Sequence, residues 1–171
     1  MQKLGDKGQI KLSFGMIFSI ILIIIFVAFA GYAIMKLFDF QNVITAGQFI
    51  NNLQEDIDKI WTGGVGSQEI SYSVPQKAET ICFIDYGSSE RGDVDGRDLY
   101  EELQRGFVQN ENLFFYPSGS SDMRNGFNIR HIDLAEITRE NNPLCFDVNK
   151  GKIRLVIKMD AGESLVKIEN A

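Results

Sequence analysis

Residues 12–35 decide what this chain can become. They read LSFGMIFSIILIIIFVAFAGYAIM, with no charged side chain anywhere in the run. About 24 apolar positions suffice for an α-helix to cross a hydrocarbon core roughly 30 Å thick. A helix in a soluble core would show a polar face, and this one has none. A chain of 171 residues is also too short to wrap such a helix in a soluble core. The lipid bilayer is therefore its expected surrounding.

Charge sets the expected orientation. Lys3, Lys7 and Lys11 precede the run against Asp6 alone, and Lys36 follows it. The first flank usually decides topology, and cationic flanks stay inside. Residues 1–11 are expected to be a basic cytoplasmic tail or leader, residues 12–35 a single membrane pass, and everything after them an extracellular part. From Leu37 onward there are 13 Lys and Arg against 22 Asp and Glu. That acidic balance argues against nucleic acid as a partner, since phosphate binding needs a basic face. It also argues against flat docking on anionic lipid.

Beyond Lys36 the apolar spacing becomes helical. Phe40, Val43, Ile44, Phe49, Ile50, Leu53, Ile57, Ile60 and Trp61 recur mostly at three- and four-residue steps, with polar residues between them. No Pro interrupts residues 12–61. One helix is expected, with residues 36–61 its amphipathic continuation, ended by Thr62-Gly63-Gly64. Phe49, Ile50, Leu53, Ile57 and Trp61 are the expected packing stripe. Asp56 and Asp58 fall on its polar face, where they read as solvated charges.

Residues 68–171 read as a small β-rich head. Strand-like runs alternate with Gly- and Ser-bearing loops. The runs 144–148, 153–159 and 164–168, separated by short Gly-containing turns, predict a three-stranded antiparallel meander. The fold class is thus α+β: a long N-terminal helix, membrane-spanning in its first half and amphipathic in its second, packed on a small antiparallel sheet. Cys82 and Cys145 sit in two apolar, strand-like runs. On the exported side they are expected to form a disulfide closing a long loop, worth about 4 kcal/mol. Two buried thiols are the alternative. Their spacing and one lone His argue against a zinc site.

No set of residues suggests an enzyme or a cofactor. Asp93-Val94-Asp95-Gly96-Arg97-Asp98 lacks the Gly and Glu positions of a calcium loop. It reads as a turn with Asp98 capping a short helix and Glu101 completing the capping box. Arg91-Gly92-Asp93 reads as a solvated turn. His131 is expected to pack or lie at the surface. Gly15 and Ser19 form a small-xxx-small pair of the kind that permits close helix contact in lipid.

A basic tail, a half-membrane and half-amphipathic helix and a β-rich head together resemble a type IV pilin. Lys7-Gly8-Gln9, directly before the apolar run, resembles the class III signal sequence of archaeal pilin-like proteins. The resemblance implies cleavage between Gly8 and Gln9 by a prepilin-type peptidase. It further implies assembly with copies of itself or related subunits at an archaeal cell surface. The fifth mature position, often Glu in such proteins, is Ser13 here. The alternative expectation is a monomeric, single-pass anchored binding domain with no filament role.

Overall fold

The computed structural model describes residues 14–105, 108, 110–124 and 126–171. The tail at 1–11, Ser13 and the Gly8–Gln9 processing site lie outside the described residues. The architecture is α+β, a long N-terminal helix followed by two small antiparallel sheets. The chain divides into two compact units, Met1–Phe38 and Asp39–Ala171.

In the first unit the helix α1, spanning Phe14–Gly63, begins. Each of its residues from Phe14 to Phe38 is exposed. Among the described residues α1 is the one helix long and apolar enough to cross a membrane. Ser19, in a position to interrupt that surface, turns its hydroxyl back to donate to the Gly15 carbonyl at 2.8 Å. The hydroxyl is thereby satisfied within its own helix, which suits an apolar surrounding.

The second unit forms around the later turns of α1. Ala46, Phe49, Leu53 and Ile57 are fully buried, and Ile50 and Ile60 pack partly against them. Full burial stabilises each large side chain by about 1.5–3 kcal/mol. Trp61 departs from the expected stripe, being 41% exposed. The helix has outrun the core by that turn, with Thr62 and Gly63 exposed beside it. The Trp61 indole instead stacks on His131, 3.7 Å between centroids, and its Nε1 donates to the Ser164 carbonyl at 3.0 Å. Gly64 ends the helix at φ +77°, its N–H returning to the Ile60 carbonyl at 3.0 Å. Only glycine takes that left-handed conformation without a Cβ penalty.

The first sheet is ordered β1 (Gly66–Ser73), β6 (Lys152–Met159), β7 (Lys167–Asn170), all antiparallel. Ile153, Leu155, Ile157 and Met159 of β6 face inward, while Arg154 lies outward. The second sheet is ordered β4 (Gly126–Phe127), β3 (Leu113–Tyr116), β2 (Thr80–Phe83), β5 (Leu144–Asp147). Its two faces feed two cores through the strand's period of two. Ile81, Phe83, Leu113, Phe115 and Phe146 join the core beneath α1. Cys82 and Phe114 point the other way, to Tyr100 and Leu103 of α2 (Val94–Arg105). A single turn, α3 (Leu134–Ile137), is capped by Asp133, whose Oδ1 accepts from Glu136 N–H at 3.0 Å.

The expected C-terminal meander is corrected. The tight turn after β5 exists: Asn149 and Lys152 exchange both backbone hydrogen bonds around Lys150 and Gly151, which lie at φ 52° and 70°. The strands it joins then part. β5 runs beside β2, and β6 runs beside β1 for eight residues. The segment 164–168 contributes only from Lys167 onward.

Candidate functional site

Three regions of the second unit bring polar chemistry together. The first lies under α2. β2 and β5 place Cys82 directly opposite Cys145, and a disulfide joins them. Val148 N–H donates to the Glu79 carbonyl, and residues facing a partner strand alternate, so Cys82 and Cys145 form a non-hydrogen-bonded pair. Such pairs bring side chains closest, which lets a cross-strand disulfide form here. Cys82 is completely buried.

The second region is the flank of α1, where the expectation of solvated Asp56 and Asp58 is corrected. Both have long-range partners. Tyr72 Oη donates to Asp56 Oδ2 at 2.9 Å. Asp58 Oδ1 lies 2.8 Å from His131 Nδ1 and accepts from Gln54 Nε2 at 2.8 Å. Gln54 in turn accepts from Arg130 N–H at 2.8 Å. His131 sits at φ 65°, a conformation costing a residue with a Cβ roughly 1–2 kcal/mol. The Asp58 contact and the Trp61 stack hold it there. Sequence spacing alone offers no signal for these pairs, because their members lie 16 and 73 positions apart.

Burial, then the hydrogen bond to Asp56, pushes the Tyr72 phenol well above its ordinary value of 10.0. A phenol whose pKa is higher folded than unfolded contributes stability that is complete below the unfolded value and is lost as pH rises toward the folded one. The head should therefore be steady in urea titrations near neutral pH and weaken above about pH 10. Tyr72→Phe should cost about 1.5–3 kcal/mol at neutral pH and flatten part of the alkaline loss. Tyr86 and Tyr100, also raised chiefly by burial, keep the rest. An alkaline slope identical in the variant would refute the assignment.

The third region connects β2 to α2. Arg91-Gly92-Asp93 is built into the fold rather than forming an open turn. Arg91 and Asn142 exchange backbone hydrogen bonds at 3.1 and 3.0 Å, and Arg91 Nη1 donates to the Arg139 carbonyl at 3.0 Å. Asp93, not Asp98, caps α2: its Oδ1 accepts from Gly96 N–H at 2.9 Å and its carbonyl from Arg97 N–H at 3.2 Å. The helix starts one turn early because that carboxylate satisfies the Gly96 N–H, one of the free N–H groups of its first turn. Asn142 is fully buried. Its amide donates to the Asp85 and Ser89 carbonyls and accepts from Asp85 N–H, which fixes the loop.

Between β5 and β7, one edge strand of each sheet, runs an open groove of about 580 Å³ lined by Glu136, Arg139, Leu144, Phe146, Lys158 and Ile168, among others. Its charges neutralise one another locally: Arg139 meets Glu136 at 2.8 Å and Lys158 meets Glu169 at 2.6 Å. Among the described residues no three His, Cys, Asp or Glu side chains come together to hold a metal. Comparison with protein families, with curated proteins and with solved structures finds no match to this chain.

Proposed function

We propose that this chain is a membrane-anchored, type IV pilin-like structural subunit of a surface filament or related assembly. The observation that carries the reading is the exposure of α1 from Phe14 to Phe38 together with its partly covered continuation. An apolar helix with no covering from its own chain needs lipid or other helices. Lipid serves before assembly, and neighbouring copies or related subunits serve after it. Phe40 and Ile44, 61% and 43% exposed, extend the apolar surface into the second unit. The acidic, β-rich heads face outward and act as no enzyme.

In this reading Lys7-Gly8-Gln9 is the site of a prepilin-type peptidase, the tail is cytoplasmic and the head extracellular. N-terminal sequencing of the membrane-bound protein should return Gln9 as the first residue, and Gly8→Leu should abolish the shortening. A mature protein still beginning at Met1 would favour the second reading, an anchored monomeric binding domain. The groove between β5 and β7 is the feature that favours it.

A further inference from the structure

We infer that β1 pairs with β1 of a second copy of this chain, the two strands running antiparallel across a two-fold axis at Ile70. The inference goes beyond the proposed function, since it needs only the second unit and no membrane. β1 lies at the edge of its sheet, with β6 on one side of it alone. Val74 N–H donates to the Gly151 carbonyl, and Lys152 exchanges its backbone bonds with Asn149 rather than with Ser73 opposite it. Alternation along an antiparallel ladder then fixes which way each residue faces. Gly66, Gln68, Ile70 and Tyr72 turn their backbone groups to β6. Ser67, Glu69, Ser71 and Ser73 turn theirs away, and among the described residues none of those N–H or C=O groups has a partner. All four residues are exposed. Pro75, with no N–H to offer, ends the row.

A long free edge accepts further strands unless Pro, Lys, a bulge or extreme shortness blunts it. β1 has none of these: it reads GSQEISYS over 8 residues and keeps unbroken register with β6. Its one charge, Glu69, lies 3.6 Å from Arg154 of β6 and is offset there. The outward serines are small and block no approach. The row is also self-complementary. With Ile70 opposite its own copy, Ser67 meets Ser73 and Glu69 meets Ser71, so every outward residue exchanges two hydrogen bonds with its mate. A slip of two residues one way sets Glu69 against Glu69, like charges directly opposite, which is destabilising. A slip the other way sets Ser67 against Pro75 and loses a donor. On the inner face Ile70, half-buried on its own core, covers Ile70 of the second copy. Among the described residues the other edges are β4 of 2 residues and β5 and β7 of 4 each, so β1 finds a match of its own length only in another β1. The pairing joins two three-stranded sheets into one. A two-fold contact closes on itself and so differs from any head-to-tail contact of a filament.

The test uses the full-length chain in neutral detergent. Residues opposite each other in a non-hydrogen-bonded pair have Cα atoms about 4.5 Å apart, within the range of about 4.4–6.8 Å that a disulfide spans. Ile70→Cys should therefore cross-link two copies under mild oxidation, seen as a dimer in non-reducing electrophoresis. Gln68→Cys should give no dimer, because its two copies stand out of step along the strands by roughly 13 Å. Adding Ser71→Pro to Ile70→Cys removes an outward donor and no bond to β6. It should abolish the dimer while the near-UV circular dichroism of the head stays unchanged. Ser71→Glu, which sets a second carboxylate opposite Glu69 of the other copy, should abolish it too and serves where Pro unfolds the head. Equal cross-linking at 68 and 70 would overturn the register. A folded protein with no cross-link at 70 would overturn the pairing. So would a cross-link that survives both Ser71 variants, and the contact would then belong to the helices. Co-flotation with lipid vesicles reads the anchor separately, so the pairing and the anchor can each fail alone.

Discussion

Leu53→Ala will cost the head about 2–5 kcal/mol, and Asn52→Ala one position earlier will cost less than about 0.5 kcal/mol. Leu53 is wholly buried between neighbours from both sheets, whereas Asn52 faces solvent. Removing three carbons from a packed site loses their transfer energy and leaves a cavity that rigid sheets on two sides cannot close. Against a total stability of roughly 5–15 kcal/mol, that loss separates a folded head from a marginal one. Urea denaturation of the full-length protein in detergent, followed by near-UV circular dichroism, measures both variants. Equal midpoints would mean that α1 does not pack on its own head.

The second large effect concerns the disulfide. Cys82 and Cys145 lie 63 positions apart in sequence, so the bond closes a long loop. In the chain-entropy model such a loop restricts the unfolded ensemble by about 4 kcal/mol. The Cys82→Ala/Cys145→Ala variant should lose stability on that scale, and dithiothreitol should lower the wild-type midpoint to match it. The single-alanine variants should behave alike, since either removes the bond. A double variant as stable as wild type would mean that the ladder of β2 and β5, with α2 above it, suffices alone.

The helix was legible because its periodicity is long, and long periodic segments state their own structure. Phe49, Leu53 and Ile57 fall where the 3.6-residue period puts them. Trp61 obeys the same period yet lies outside the core, because periodicity tells which face a residue is on and not where the opposing sheet ends. The meander held in its second half, where β6 pairs with β7, and failed in its first for a related reason. Asn149-Lys150-Gly151-Lys152 is a tight turn in sequence and in structure, but a turn does not say whether the strands it joins will pair. β5 had a nearer partner in β2 and β6 a longer one in β1, both far off in sequence. Asp56 and Asp58 read as solvated because their partners, Tyr72 and His131, come from other elements. The expected cap of α2, Asp98, gave way to Asp93, because the loop aims the Asp93 carboxylate at the Gly96 N–H one turn earlier.

The pairing of β1 with β6 has a consequence for the order of events during synthesis. Among the described residues Gly66–Ser73 finds its ladder partner only in Lys152–Met159. At about 5–20 residues per second, a ribosome takes roughly 4–16 s to make the intervening chain. For that interval the apolar face of Phe49, Leu53 and Ile57 is without the β6 side chains that cover it, and the edge of β1 is unpaired. The apolar stretch before Phe38 has by then left the ribosome and is ready for the membrane. If that stretch is the membrane anchor proposed above, the slow, non-local step of folding falls after commitment to the bilayer. Any stop before Lys152 yields a chain with a bare strand edge at Gly66–Ser73, the kind of species that quality-control proteases and aggregation remove.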